Sequence, residues 1–461
     1  MATTYLNKTF STPTNSKKYT MAGWFKRSGL SSNQYLYSYD SGGNAMFIIG
    51  FYSSDKLTVY DRDASSGAAD IDYTTTQVFR DTAAWYHLVV AVDTTDSTSG
   101  DRVKIYVNGT RLTAFDTSTA PAQDYDTIAN SAVSKDIGRW QAGSNYYNGY
   151  MSQFIFIDGS ALTPSSFGST NANGVWIPNT SPSVTYGNNG FKLDFADSGA
   201  SAAAGNFGSD SSGNNNHFTS NSLGTNPNTT DTPHNNFATL NENDRWNSYT
   251  TQESVQGVLT KSGRNFSSNG PLGGSERYYN ITGTIAVPSA GKWYWEAKPI
   301  AGSNGLGFRW TMGLFTLDRK YSTNSLRQYD NSQGQVGTYT ADGKVSANGS
   351  VVSTYETLAV NDIVSFKYDA DNRDLYIAKN GTYFNSGNAV LTSSNISDTG
   401  QKLVVLQNGS SGDVASQVNF GQPPYTIASG NSDGNGYGNF EYAVPTGYYA
   451  LCTKNVAAYG G

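Results

Sequence analysis

Apolar and polar positions alternate with a period of two along most of the chain, in short segments separated by Gly, Asn, Asp and Ser. That period belongs to half-buried strands, whose successive side chains point to opposite faces. The segment YTMAGWFKR (19–27) puts Met21, Gly23 and Phe25 on one face and Ala22, Trp24 and Lys26 on the other. NAMFIIGFY (44–52) is almost continuously apolar, as expected of a strand buried on both faces, and predicts a hairpin with KLTVYD (56–61). The clearest hairpin of the first half lies within 85–109. Leu88, Val90 and Val92 share a face, Val103, Ile105 and Val107 share the partner face, and the polar DTTDSTSGD joins them. It ends in Asn108-Gly109, a pair suited to the positive φ angles of a type I′ turn. KDIGRW (135–140), GYMSQFIFIDG (149–159) and GFKLDFADSG (190–199) add strands, and SALTPSSF (160–167) reads as a turn or a single helical turn at Pro164.

The pattern fades between 197 and 236, where Gly, Ser, Asn and Thr dominate, and this stretch reads as a linker. Phe207, Phe218 and Phe237 are isolated anchors in or beside it, so it is expected to lie against a surface. Strands resume at 278–287, 292–300 and 309–316. DIVSFKYDADNRDLYIAKNG (362–381) forms a second strong hairpin, with Val364, Phe366 and Tyr368 opposite Leu375 and Ile377, again ending in Asn-Gly. Further strands are predicted at 402–409, 416–421 and 448–455. Each half holds about ten short strands, so the expectation is all-β, one sandwich per half. The boundaries predicted are a first sandwich over 1–196, a Gly/Ser/Asn-rich connector over 197–247 and a second sandwich over 248–461.

Composition agrees. The chain of 461 residues has 49 Gly, 32 Tyr, 21 Phe and 8 Trp, with only 14% charged residues, so strand and turn formers outnumber helix formers. A net charge of −6 argues against nucleic acid as a partner, because phosphate binding needs a basic face. Cys452 is the single cysteine, which rules out an internal disulfide and a Cys-based metal site. The N-terminus carries no secretory pattern, and no apolar run reaches the roughly 18 residues of a membrane span. An extracellular-looking composition without an export signal suggests release by lysis, within a virus particle.

Several segments resemble known families. WYHLVVAVDTT…DRVKIYVNGTRL and IGRWQAGSNYYNGYMSQFIFIDGSALTPSSF resemble the laminin-G, concanavalin-A-like jelly roll over roughly 1–196. GKWYWEAKP, TMGLFT and NDIVSFKYDADNRDLYIAKNGTYF resemble the SPRY (B30.2-like) sandwich over roughly 250–455. DSSGNNNHFTSNSL…DTPHNNFATLN (210–241) and VPTGYYALCTKNV (444–456) are similar to segments of phage tail-fibre-like proteins. The resemblance implies two concanavalin-like β-sandwiches in tandem. It also implies a bacteriophage virion protein (tail fibre, appendage or head decoration) that forms homo-oligomers, packs with other virion proteins and binds a host surface glycan. The alternative is a free carbohydrate-binding protein or a glycoside hydrolase of the same fold.

Candidate chemistry is sparse. Concanavalin-like hydrolases use a closely spaced glutamate pair, one acid and one nucleophile or base, and the first glutamate here is Glu242. His87 falls in the signature hairpin and reads as structural, and His217 and His234 sit in the polar connector. The Gly-rich GSNGLGF (302–308) lacks the lysine of a phosphate loop, and DADNRD (369–374) and DTTDSTSGD (93–101) lack Ca²⁺-loop spacing. No enzyme activity, cofactor or metal is expected. The remaining candidates are aromatics in polar loops: Trp140, Tyr146, Tyr147 and Tyr150 in RWQAGSNYYNGY (139–150), and Tyr329 in RQYDNSQG (327–334). Rings of this kind stack on sugars, while Asn and Gln reach hydroxyls.

Overall fold

The computed structural model describes residues 3–65, 67–224, 227–247, 257–268, 278–301, 310–317, 335–409 and 414–461. Tyr329 and the Gly-rich 302–308 lie outside them. The chain divides into two compact units, Met1–Asn228 and Thr229–Gly461.

In the first unit an eight-stranded antiparallel sheet runs Phe115–Thr119, Ile71–Val78, Lys56–Arg62, Met46–Phe51, Gln34–Asp40, Ser134–Ile137, Tyr5–Thr9, Thr219–Asn221. A six-stranded sheet runs Phe191–Leu193, Gly149–Asp158, Lys18–Arg27, Tyr86–Asp93, Val103–Val107, Thr110–Arg111. Their facing sides build one core. Met21 and Phe25 of one sheet and Phe47, Ile49 and Val59 of the other are fully buried in it. The predicted hairpin forms, with Leu88 opposite Val107, Val90 opposite Ile105 and Val92 opposite Val103. Pro164–Ser166 is a single 3-10 turn.

The second unit repeats the plan. A seven-stranded sheet runs Leu240–Asn247, Tyr278–Gly283, Lys402–Gly409, Trp310–Thr316, Gln335–Thr340, Lys344–Ala347, Ser350–Thr354. It faces an eight-stranded sheet centred on Lys292–Ala301, Val364–Asp369 and Asp374–Lys379. Trp293, Trp295, Trp310, Phe366 and Leu406 fill the space between.

The Asn-Gly pairs that end these two hairpins adopt the left-handed conformation, φ 47° and 82° at Asn108-Gly109 and 48° and 83° at Asn380-Gly381. The Asn side-chain oxygen accepts the backbone N–H of His87 (2.8 Å) in the first unit and of Ile363 (2.9 Å) in the second. A covering ring then lies over each glycine. A Cβ on Gly109 would sit 2.6 Å from Trp176, and one on Gly381 would sit 2.8 Å from Tyr442. The repeated ending is therefore a shared device. The turn reverses the chain, ties down the first strand of its hairpin, and leaves a flat seat for an aromatic ring.

Two expectations need correction. The segment read as a linker from 197 is folded, and the units divide inside it, after Asn228. Thr219–Asn221 pairs with Tyr5–Thr9, and Phe218 is fully buried against Phe191 (4.8 Å between ring centroids). Its polar residues serve the backbone. Asp210 accepts the N–H groups of Lys192, Ser212 and Asn216, and Asn214 and Asn216 donate to the carbonyls of Gly187, Asn188 and Gly190. Phe237 belongs to the second unit, buried with Tyr294, Phe440 and Cys452. The predicted strand over 448–455 is only Tyr449–Ala450, followed by the helix Thr453–Tyr459. Its Lys-Asn-Val-Ala-Ala run is compatible with helix, and the strand-like aromatics precede it.

Candidate functional site

The loop between Ser134–Ile137 and Gly149–Asp158 carries three of the five sequence candidates and Tyr150 lies at the start of the strand after it, and the structure separates them. Tyr147 is core: its ring meets Phe25 edge-on at 6.3 Å and its hydroxyl donates to the Lys26 carbonyl at 2.9 Å. Burial holds its phenol far above the usual range. Tyr150 is also buried, on the outer face of the six-stranded sheet with Trp24 and Trp85. Neither presents a ring to solvent, so both leave the candidate set. Sequence gave no means of knowing this, because loop residues follow no period that assigns them a side.

Trp140 and Tyr146 stay half-exposed, at one end of the eight-stranded sheet. Trp140 meets Tyr35 edge-on at 5.6 Å between centroids. Its backbone closes a tight turn, with Trp140 N–H donating to Ser144 O and Gly143 N–H to Trp140 O, both at 2.9 Å. Gln141 fixes the turn to the sheet. Its Oε1 accepts Asp40 N–H at 2.8 Å, and its Nε2 donates to Ser134 O at 2.9 Å. Tyr146 lies 6.5 Å from Tyr5, and the Arg139 guanidinium rests on the Tyr5 ring, 3.3 Å from its centroid. Arg139 Nε donates to Asp136 Oδ2 at 2.6 Å and Nη1 to the Tyr146 hydroxyl at 3.4 Å. These partners raise the guanidinium further above its ordinary value, against the opposing pull of burial.

Sequence reading missed Tyr5 and Arg139. Tyr5 is far away in the chain, and only the pairing of Leu6 with Ile137 brings it beside Arg139. Matching the first strand to KDIGRW would have been the signal. The result is a half-exposed Trp140 held against Tyr35 and, from the neighbouring residue Arg139, a guanidinium stacked with the half-buried Tyr5 and Tyr146 rings, on a loop whose backbone is tied to the sheet. Held rings and fixed polar groups bind with little loss of conformational freedom.

The titratable groups of the first unit serve the fold. His87 is buried, its pKa pushed down to about 3 by burial, and its Nδ1 accepts the Trp176 indole N–H at 3.0 Å. His217 Nδ1 accepts the Asp210 N–H, while His234 belongs to the second unit and is exposed. Asp61 accepts the N–H groups of Ile128 and Ala129 and the Tyr125 hydroxyl. Asp158 ties Thr14, Asn15, Asn130 and Asn189 together. Asp93 and Asp96 close turns onto Thr95 and Thr98, and Asp101 pairs with Arg111. In the second unit Glu296 is buried under five donors: the Tyr294 and Tyr425 hydroxyls, Asn419 Nδ2, and the N–H groups of Glu441 and Tyr442. Among the described residues no group of three or more His, Cys, Asp or Glu side chains is placed to hold a metal ion. No described helix is long and apolar enough to cross a membrane.

Residues 2–166 match the Laminin_G_3 family, described as the concanavalin A-like lectin/glucanases superfamily. The match falls within the first unit and includes Tyr5, Arg139, Trp140 and Tyr146. The chain is all-β, with β-sandwich domains in tandem, the first of them matched by this concanavalin-like family. Among solved structures, the SPRY domain of human HERC1 is 12% identical at TM-score 0.30, covering 39% of this chain and 96% of that one. A human SPRY domain is 14% identical at TM-score 0.26, covering 38% and 98%. A heptameric SAP-like pentraxin from Limulus polyphemus is 15% identical at TM-score 0.28, covering 39% and 86%. No curated protein matches the chain.

Proposed function

We propose that this chain is a non-enzymatic, glycan-recognising structural protein of a bacteriophage particle, borne as a tail fibre, appendage or head decoration. The observation that carries glycan recognition is the fixed loop that holds a half-exposed Trp140 against Tyr35 and, at the adjacent Arg139, a guanidinium stacked with Tyr5 and Tyr146. Half-exposed rings offer stacking faces to sugar C–H groups, and Arg139 and neighbouring amides offer hydrogen bonds. The family matched by the first unit is described by lectins as well as glucanases, which fits the same reading. Against hydrolysis stand the lack of any glutamate before Glu242 and the engagement of Asp61, Asp136 and Asp158 in fold-holding hydrogen bonds.

The virion assignment draws on the phage-like segments 210–241 and 444–456. Assembly as a homo-oligomer would let weak glycan contacts add by avidity. The test has two arms. On a glycan array, Trp140→Ala should weaken binding of the best ligand about tenfold, the equivalent of about 1.4 kcal/mol. Unchanged binding would remove the site. Mass spectrometry of particles released on lysis should contain the chain in stoichiometric amount, and its absence would remove the virion reading.

A further inference from the structure

Lys367, on the outer face of the second unit's eight-stranded sheet, is a half-buried cation in an acidic chain. Its ammonium lies 4.0 Å from the ring centroid of Tyr376, 4.7 Å from Tyr383 and 5.1 Å from Tyr448. The three rings come from three separate segments. Tyr376 faces Lys367 across the Val364–Asp369 and Asp374–Lys379 pair, Tyr383 lies on the next strand, and Tyr448 comes from the C-terminal segment. Among the described residues no carboxylate lies within ion-pair distance of this ammonium. The neighbouring charge is Lys292, itself paired with Asp369 at 2.8 Å. Ring faces offset part of the cost of partly burying a cation, and with no carboxylate of the described residues neutralising it, the half-exposed ammonium stays open to an incoming anion.

We propose that Lys367 and its ring of Tyr376, Tyr383 and Tyr448 form a second binding site, one that takes the carboxylate of an acidic sugar. Acidic neighbours select the ligand. Asp374 lies on the same face of its strand as Tyr376, two residues and about 7 Å along, and has no hydrogen-bond or ion-pair partner among the described residues. With Asp369 it disfavours a dianion such as phosphate. A sugar acid brings a single negative charge for Lys367 and hydroxyl donors for Asp374. Burial holds the Tyr383 and Tyr448 phenols well above their usual range, so both remain O–H donors at neutral pH.

The test is calorimetric titration of the whole chain with galacturonic acid, its methyl ester and inorganic phosphate. The acid should bind, the ester should bind at least about tenfold more weakly, and phosphate at equal concentration should not displace the acid. Lys367→Gln should lose about tenfold in affinity for the acid and Lys367→Arg should retain most of it. Equal binding of acid and ester, no binding of the acid, displacement by phosphate, or wild-type affinity in Lys367→Gln would each overturn the proposal. The acid–ester comparison uses the unmodified chain, so it stands even where a variant fails to fold. All variants lie in the second unit, and the readout is independent of the Trp140 surface.

Discussion

Two hairpin glycines carry a demanding local geometry. Gly109 and Gly381 combine positive φ with an aromatic ring packed where a side chain would begin. Alanine at either position meets both penalties, strained backbone and a displaced Trp176 or Tyr442. Gly109→Ala and Gly381→Ala should each cost about 1–3 kcal/mol, read as a lower urea midpoint at unchanged slope. At this scale the sequence was legible for the turns and mute for the loop. Asn-Gly after an alternating strand specifies its own conformation. RWQAGSNYYNGY does not say which of its rings face water, because that depends on where Tyr5, Tyr35, Phe25 and Trp24 lie, and those contacts are made by strands distant in sequence.

Strands were readable where one face is apolar, and the twin hairpins were visible down to which side chains share a face, their register coming from the structure. The segment 197–228 was not, because its stability comes mostly from Asp and Asn side chains bonded to backbone groups, which composition alone presents as a linker. A single residue tests the difference. Phe218 packs against Phe10 and Phe191 in the first unit's core. Phe218→Ala should destabilise that unit by about 3–5 kcal/mol, and limited proteolysis should then cut within 210–224 faster than in the parent chain. An unaltered cutting pattern would mean that the segment is held without its anchor.

On the scale of the whole molecule, stability is coupled to two buried titratable groups of the first unit. Burial raises Asp61 to about 7. Its stabilising contribution is complete below the ordinary carboxylate value of 3.8 and is lost as pH rises through about 7. Burial lowers Lys135 to about 7. Its contribution is complete above the ordinary 10.5 and is lost as pH falls through about 7. The two trends meet near neutrality, so thermal melts of the first unit should gain stability from these groups on either side. Lys135→Met should flatten the alkaline rise and leave the acid limb in place. A melting profile that keeps its alkaline rise in that variant would dismiss the lysine as its source.

The paired Asn-Gly turns also set how this protein ages. Asn followed by Gly is the dipeptide most prone to cyclise to a succinimide and reopen as isoaspartate, which inserts a methylene into the main chain. At Asn108 and Asn380 that rearrangement would also remove the amide whose oxygen receives the His87 or Ile363 N–H, and it would lift Trp176 or Tyr442 from its seat. The chain has ten Asn-Gly pairs, and at these two the chemistry of ageing falls on the same two-residue corner that makes a hairpin possible.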